Sequence, residues 1–517
     1  MAVPAAYGAG RERRRAEHRS RQVGAHRDDR DGGGAVRANR PVRPPSHVLP
    51  ERWCPANGRR YVRAVFPGAA GVRRPRRRLG PRTRTEGPPV TRLALLAAAL
   101  VAVSTPLVAT APEAHAAPTV PVIFVHGQEG SAQQFQSTAQ RLSGNGYPDR
   151  LLHAYEYDTG TLLNERAVLG LAVFVDRVRA ATGSPTVDII AHSRGTIVAH
   201  SYLSDRRHAA EVRRYVNVDG RSSLLPPGGV PTLALWSGLQ PDGAIGGATN
   251  VHLPDLGHTE TTTSAESFAH VYRFLTGTAP QTTQVVPQPS GVTVSGRATY
   301  FGANSGVPGR LAVWEVEESS GTRVGSAPVH TTTTYDGAFG PLAVDPRKRY
   351  ELEYQRTGEP TSHFYFESFE RTNQFVRLQI SAPGGPADDV DRCPTHTAIT
   401  VVRNREWWSD QGAGSDGLAL NGVEVLTANV APRSRQVLAA FLFDDGCDRR
   451  SALGAPAADF ASLPFLTGVD VYLPPTGSVA VREGIRGTTQ SRTVTVPAWR
   501  SDQHSVTVEF KDYADIR

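Results

Sequence analysis

Cysteine is nearly absent from this sequence, with three in 517 residues. That scarcity excludes a disulfide-dense scaffold, and isolated thiols do not make a metal-binding cluster, so no metal and no cofactor is expected. Long apolar runs are also missing. The one sustained stretch, Leu93–Val103, is too short and too alanine-rich for a membrane anchor. Basic charge is plentiful in total, at net +8, but it is lacking where a folded protein would use it. Residues 1–90 hold 22 arginines against seven acidic residues, Arg92 and Glu113 cancel over 91–116, and the remaining 117–517 is net −7. A mildly acidic remainder has no basic footprint, so nucleic acid is not expected as a partner.

What is present comes in blocks. The length calls for two or three domains, and 39% hydrophobic residues with 50 glycines and 39 prolines describe turn-rich globular folding. Residues 1–89 are Arg/Gly/Pro-rich, as in Arg73-Arg74-Pro75-Arg76-Arg77-Arg78, and have too little apolar surface to offset ordering entropy. They read as a disordered arm or as a stretch that is not translated. Residues 90–116 have the form of a secretory signal: Arg92, the apolar Leu93–Val103, then Ala114-His115-Ala116 as a cleavage site. Signals of this kind stand first in a chain, which points to a start at Val90 and a secreted, extracellular product beginning at Ala117. Cys54 is then discarded, and Cys393 and Cys447 are left to pair as a disulfide in an oxidising compartment.

The chemistry gathers around Val187-Asp188-Ile189-Ile190-Ala191-His192-Ser193-Arg194-Gly195-Thr196. An apolar β-branched run ends in a serine with small residues, Ala191 and Gly195, two positions to either side, and a helical pattern follows. This is the nucleophile-elbow arrangement with alanine in the first position, and it puts a serine hydroxyl at the top of a sheet. A strand end without function has the same pattern, so the neighbours must decide. Before it, the strand Val120–Val125 runs into His126-Gly127-Gln128-Glu129-Gly130-Ser131, a glycine-bearing loop able to aim the N–H of Gln128 at an oxyanion. The second donor is the N–H of Arg194.

Phe135, Ala139 and Leu142, then Val168, Leu171, Val175 and Val178, then Ile197, Val198 and Leu203 recur at helical spacing between strands such as Leu151–Tyr157. The order β-α-β-α-β-α predicts a parallel sheet covered on both faces. Three more strands follow, at Tyr215–Val218, Thr232–Trp236 and Val251–Leu253. His258 then precedes a last helix with a capping box at Thr263–Glu266 and an apolar face of Phe268, Val271 and Leu275. The chain order serine, acid, histidine is that of an α/β-hydrolase. The acid is open between Asp219, at the end of one strand, and Asp242, after the next. Asp255 reads as a turn former.

Beyond a linker at 279–290, short alternating runs predict an antiparallel sandwich or barrel over 291–385 and a second β-rich section over 386–517. The first holds Val292–Tyr300, Leu311–Glu317, Tyr350–Tyr354 and Phe375–Ile380. The second holds Ala398–Val402, Val437–Phe443, Val469–Leu473 and Thr493–Val496. The pair Trp407-Trp408 is either a substrate contact or a turn anchor.

Residues 120–385 resemble the hyperthermophilic archaeal lipase that joins an α/β-hydrolase to a C-terminal β-barrel lipid-binding domain. The matching stretches include Phe124-Val125-His126-Gly127, Asn145-Gly146-Tyr147-Pro148, Glu156-Tyr157-Asp158-Thr159, His192-Ser193-Arg194-Gly195-Thr196, Asp219-Gly220 and, farther on, His363-Phe364-Tyr365 and Phe375-Val376-Arg377-Leu378. The resemblance implies a catalytic set of Ser193, Asp219 and His258, with lipid docking by the β-rich half. Two departures stand out. The connection Gly160–Arg166 is too short for the helical lid of that lipase, and Arg194 replaces an apolar residue.

The reading is a secreted serine carboxylesterase or triacylglycerol lipase for lipid or other acyl-ester substrates, with transient contact to lipid surfaces. The rival readings are an extracellular polyester depolymerase using the same triad and a non-catalytic surface binder with a vestigial hydrolase domain.

Overall fold

The computed structural model describes residues 120–161 and 163–514. The arginine-rich arm, the signal sequence, Val90 and Cys54 lie outside the described residues. Six strands, β1 (Val122–Val125), β2 (Leu152–Tyr155), β3 (Val187–His192), β4 (Val212–Val218), β5 (Thr232–Ser237) and β6 (Thr249–Leu253), form a sheet ordered β2-β1-β3-β4-β5-β6. Every neighbouring pair in it is parallel. Alternate residues serve its two faces, as the two-residue period of a strand requires. Val122, Phe124, Ile190, Val216 and Leu233 pack one face under the helices Gln136–Gly144 and Ala265–Thr276. Ile123, Val125, Ile189, Ala191 and Tyr215 pack the other under Glu165–Thr182 and Arg194–Leu203. Burying each such Leu, Ile or Phe contributes about 1.5–3 kcal/mol. This is the α/β-hydrolase sheet expected from the sequence.

Local differences have local causes. The last helix starts one residue later than the Thr263–Glu266 box implied: Ser264 is its N-cap and accepts from the N–H of Ser267, while Thr263 closes a separate turn of helix, Glu260–Thr263. The 279–290 stretch has no helix or strand, but Asn145 accepts from the N–H groups of Gln281 and Thr282 at 2.7 and 3.1 Å and fixes its path.

Fifteen strands follow: β7 (Thr293–Tyr300), β8 (Gly309–Val316), β9 (His330–Thr334), β10 (Ala338–Ala343), β11 (Arg349–Gln355), β12 (Thr361–Phe366), β13 (Asn373–Ile380), β14 (Ile399–Trp407), β15 (Gly417–Leu420), β16 (Val423–Glu424), β17 (Val437–Phe443), β18 (Leu466–Asp470), β19 (Ser478–Gly484), β20 (Ser491–Pro497) and β21 (His504–Glu509). They are not purely antiparallel, as the alternating runs had implied. The pairs β7–β13, β12–β21, β14–β21 and β17–β18 are parallel. One eight-stranded sheet, β18-β17-β14-β21-β12-β11-β8-β9, crosses residue 385 and draws strands from both β-rich sections. A three-stranded sheet (β10-β7-β13) packs on one of its faces through Val294, Ala298, Leu352 and Phe364. A four-stranded sheet (β16-β15-β19-β20) packs on the other through Leu418, Val481, Val401 and Val508. Cys393 and Cys447 form a disulfide with Cα atoms 6.5 Å apart.

Candidate active site

Ser193 stands between β3 and the following helix at φ 51°, ψ −122°, the sharp turn that an exposed nucleophile needs. The turn closes only because its neighbours are small. A Cβ on Gly195 would lie 2.5 Å from the carbonyl oxygens of Val125 and His126, and one on Gly127 would lie 2.9 Å from the Ser193 Cβ. Ala191 is fully buried. Nine non-glycine residues among those described have positive φ, and Glu129, Ser193, Asp219 and Asn304 are four of them. All four belong to one site, where such unfavourable backbone tends to gather.

Asp219 is fully buried beyond the end of β4, with its Oδ2 2.5 Å from His258 Nδ1. Ser237 fixes the carboxylate by donating from its backbone N–H to Oδ1 and from its hydroxyl to Oδ2, both at 2.7 Å. Asp242 and Asp255 are exposed. Of the two candidate acids, Asp219 is the one brought to the histidine.

The His258 loop is tied back to the glycine-bearing loop through a relay of neutral groups. The N–H of Gly127 donates to Gln134 Oε1 at 3.2 Å, and the Gln134 amide lies 3.0 Å from His192 Nδ1. His192 Nε2 lies 3.0 Å from the His258 carbonyl. These partners assign the proton of His192 to Nε2. Burial pushes His192 well below the ordinary imidazole range, which keeps it neutral. His126 behaves likewise: burial lowers it to about 4, and its Nε2 accepts from the N–H of Tyr157 at 3.2 Å.

The charge of Arg194, a departure from the family pattern, finds its partners away from Ser193. Its guanidinium turns back to Gln128 Oε1 at 2.6 Å, the Thr159 carbonyl at 2.9 Å and Asn164 Oδ1 at 3.1 Å. Gln128 Nε2 donates to the same Thr159 carbonyl at 3.0 Å. The two residues chosen as oxyanion donors are thus braced through their side chains. Among the described residues, neither backbone N–H has a protein acceptor. The short Gly160–Arg166 connection is held by the arginine.

Ser193, His258 and Gln128 line one cavity of about 460 Å³. Much of its wall comes from the β-rich half, including Phe301, Phe364, Ile380, Leu438, Phe441 and Phe465. Two supporting residues from that half escaped the sequence reading. Asn304 donates to the carbonyls of Gly130 and Tyr157 at 2.9 and 3.1 Å and approaches His126 Nε2 at 3.3 Å. Glu406, fully buried on β14, accepts from the N–H groups of Thr259 and Glu260 at 2.5 and 3.0 Å, and a Cβ on Gly257 would collide with its carboxylate. No motif marks either, since each acts on a loop more than a hundred residues away. The Trp407-Trp408 pair does not line the cavity. Trp407 is fully buried, and Arg433 and Arg486 stack on Trp408, which makes the pair a core anchor.

Two side-chain groups have donors spaced for a cation. In one, Arg323 already pairs with both Glu351 and Glu353 beside His363; in the other, Cys393 and Cys447 are bonded to each other and leave His396 alone.

Known families match the chain in three pieces. The class 2 lipase model matches residues 119–214, the lipase C-terminal domain model matches 290–383, and a further C-terminal domain model matches 385–514. The protein is a lipase-type ester hydrolase. Three solved structures are similar over 32% of the hydrolase chain. They are a Listeria innocua gene product (13% identity, TM-score 0.26, 97% of that chain covered), a Bacillus licheniformis lipase in mature form (16%, 0.26, 96%) and Aspergillus fumigatus lipase B (14%, 0.25, 54%). With the class 2 lipase and lipase C-terminal domain models both matching, the resemblance seen in the sequence stands as a lipase with a C-terminal domain. Two of its quoted stretches meet in space, where Arg377 pairs with Glu156 through two bonds of 2.8 and 2.9 Å. No helix among the described residues is long and apolar enough to cross a membrane.

Proposed function

We propose that the hydrolase is a secreted serine carboxylesterase or triacylglycerol lipase working through an acyl-enzyme. The observation that carries this is the cavity shared by Ser193 and His258, with His258 Nδ1 2.5 Å from a buried Asp219. His258 takes the Ser193 proton as the hydroxyl attacks the ester carbonyl, and Asp219 holds the imidazole in its tautomer and stabilises the cation that forms. The free N–H groups of Gln128 and Arg194 receive the tetrahedral oxyanion. The alcohol leaves with the proton, and water repeats the sequence on the acyl-enzyme. The apolar lining contributed by Phe301, Ile380 and Phe465 supports docking of an acyl chain in place of a lid.

In this reading residues 90–116 are the removed signal, 117–278 the catalytic domain, 279–290 its linker, and 291–385 and 386–517 the β-rich supports. A fluorophosphonate should label Ser193 at mildly alkaline pH, and the mature chain should begin at Ala117. Asp219→Asn should lower kcat by roughly four orders of magnitude, and Asp242→Asn should leave it within twofold. Absence of an adduct sinks the enzyme, and the reverse order of the two variants moves the acid to Asp242.

A further inference from the structure

The cavity is not a plain apolar slot. Its far wall is one face of the eight-stranded sheet, and register decides what that face presents. Residues paired across neighbouring strands share a face. Phe364 of β12 pairs with Thr507 of β21, Thr507 with Thr400 of β14, and Thr400 with Phe441 of β17. One row across four strands therefore reads phenylalanine, threonine, threonine, phenylalanine. In the next row Ser362 pairs with Ser505. All six residues line the cavity that holds Ser193 and His258.

The hydroxyls in these rows are free. Among the described residues, those of Ser362, Thr400, Ser505 and Thr507 have no protein hydrogen-bond partner, although Ser362 is only 6% exposed. A ligand that displaces water from such hydroxyls loses affinity unless it supplies the hydrogen bond in return. A lipid tail cannot supply it. Glu509, two residues after Thr507, lines the same wall, is held by the Gln133 amide and is pushed by burial up to about 8, so it presents a neutral carboxyl. Arg403 nearby is consumed by Asp416 and Glu483. These two rows thus offer donors and acceptors between aromatic flanks; the charged groups lie elsewhere on the lining, at Glu129, Asp388, Arg392 and the Arg356–Glu359 pair.

We propose that this wall is a subsite for an uncharged polyhydroxylated alcohol, so that the preferred substrates are esters of a polyol or sugar. The inference rests on the serine-hydrolase reading. Hydroxyls that both donate and accept suit a polyol better than a polyester, whose carbonyls only accept.

The test compares kcat/KM for sorbitol monobutyrate and 4-nitrophenyl butyrate in the full chain and in Thr400→Val, Thr507→Val and Ser362→Ala. The ratio of the polyol ester to the nitrophenyl ester should fall about three- to tenfold in each variant, the effect of one hydrogen bond. A ratio that stays constant overturns the subsite. So does a loss confined to an oligomeric hydroxy-acid ester, which would assign the wall to a polyester. Fluorophosphonate labelling of each variant reports separately on Ser193. If the wild type neither labels nor turns over, the enzyme reading has failed and calorimetric binding of sorbitol monobutyrate decides the subsite: weaker binding by Thr400→Val and Thr507→Val supports it, equal binding overturns it.

Discussion

Two loops must hold still around Ser193, and the molecule holds them by opposite chemistry. The glycine-bearing loop of Gln128 is pinned from the first β-rich section by neutral groups: the Asn304 amide, and the Gly302 carbonyl accepting from the Thr159 N–H and hydroxyl at 2.8 and 2.7 Å. The His258 loop is pinned from the second section by charge. Glu406 takes two of its N–H groups, and Glu260 pairs with Arg405 at 2.8 Å and with Arg486, which in turn pairs with Asp416 at 2.9 Å. The difference matches what each loop must do. On the proposed oxyanion side the Arg194 guanidinium is already at Gln128 Oε1, and the neutral Asn304 amide sets the backbone from the β-rich half without adding a second charge. Under the histidine a carboxylate favours the imidazolium that forms during the reaction.

The largest effect should come from cutting the charged side. Glu406→Gln keeps the shape but replaces one acceptor with a donor facing an N–H. Charge-assisted hydrogen bonds of this kind are worth about 1.5–3 kcal/mol, so kcat on a short ester should fall on the order of 10- to 100-fold while KM moves little. Burial first, and the Glu260 carboxylate second, push Glu406 above the usual carboxylate range, and the Thr259 N–H pulls it back. The defect should therefore shrink as pH falls and the wild-type carboxyl takes up its proton. A drop in melting temperature with kcat intact would reduce Glu406 to an interdomain tie.

Cutting the neutral side should cost less and carry no pH signature. Asn304→Ala removes an amide that reaches three acceptors, but these are neutral bonds of about 0.5–1.5 kcal/mol net. A three- to tenfold loss in kcat/KM is expected, the same at pH 6 and pH 8. A steep pH dependence would mean that the two loops are not held by different chemistry after all.

How much of this could be read beforehand follows the same division. The parallel sheet was legible because each strand is a continuous apolar run and each helix keeps its 3.6-residue period. Ser193 and His258 could be singled out because the fold fixes their order, and both line one cavity. The acid stayed open on spacing alone, since Asp219 and Asp242 both end strands, and three-dimensional proximity separates them. The side chain of Arg194 had no account because sequence gives its position but not its rotamer, which the Thr159 carbonyl and Gln128 set. Glu406 was out of reach. Arg403-Asn404-Arg405-Glu406 looks like an exposed charged strand edge, yet Arg403 and Glu406 are 1% exposed or less. Their partners are far along the chain, Asp416 and Glu483 for Arg403 and the N–H groups of Thr259 and Glu260 for Glu406, which an alternating pattern does not announce.

The smallest effect concerns the buried acid that reaches from the charged section toward the neutral loop. Glu509 lies on β21, opposite Val402 of the Glu406 strand, and is hydrogen-bonded by Gln133, which follows the glycine-bearing loop. Burial raises it from 4.5 to about 8. Between those values the native state holds a proton that the unfolded chain has released. The stability tied to it is fully present below about pH 4.5 and is lost as pH rises toward 8. Asp512, raised to about 6 by burial, acts in the same direction over a narrower range. Glu509→Gln should flatten the decline, with melting temperature close to wild type at pH 5 and a few degrees higher at pH 9. If the variant and the wild type decline in parallel, Glu509 is ionised in the fold and the cavity wall bears a charge. That result would leave the neutral loop facing a carboxylate and erase the contrast between the two sides.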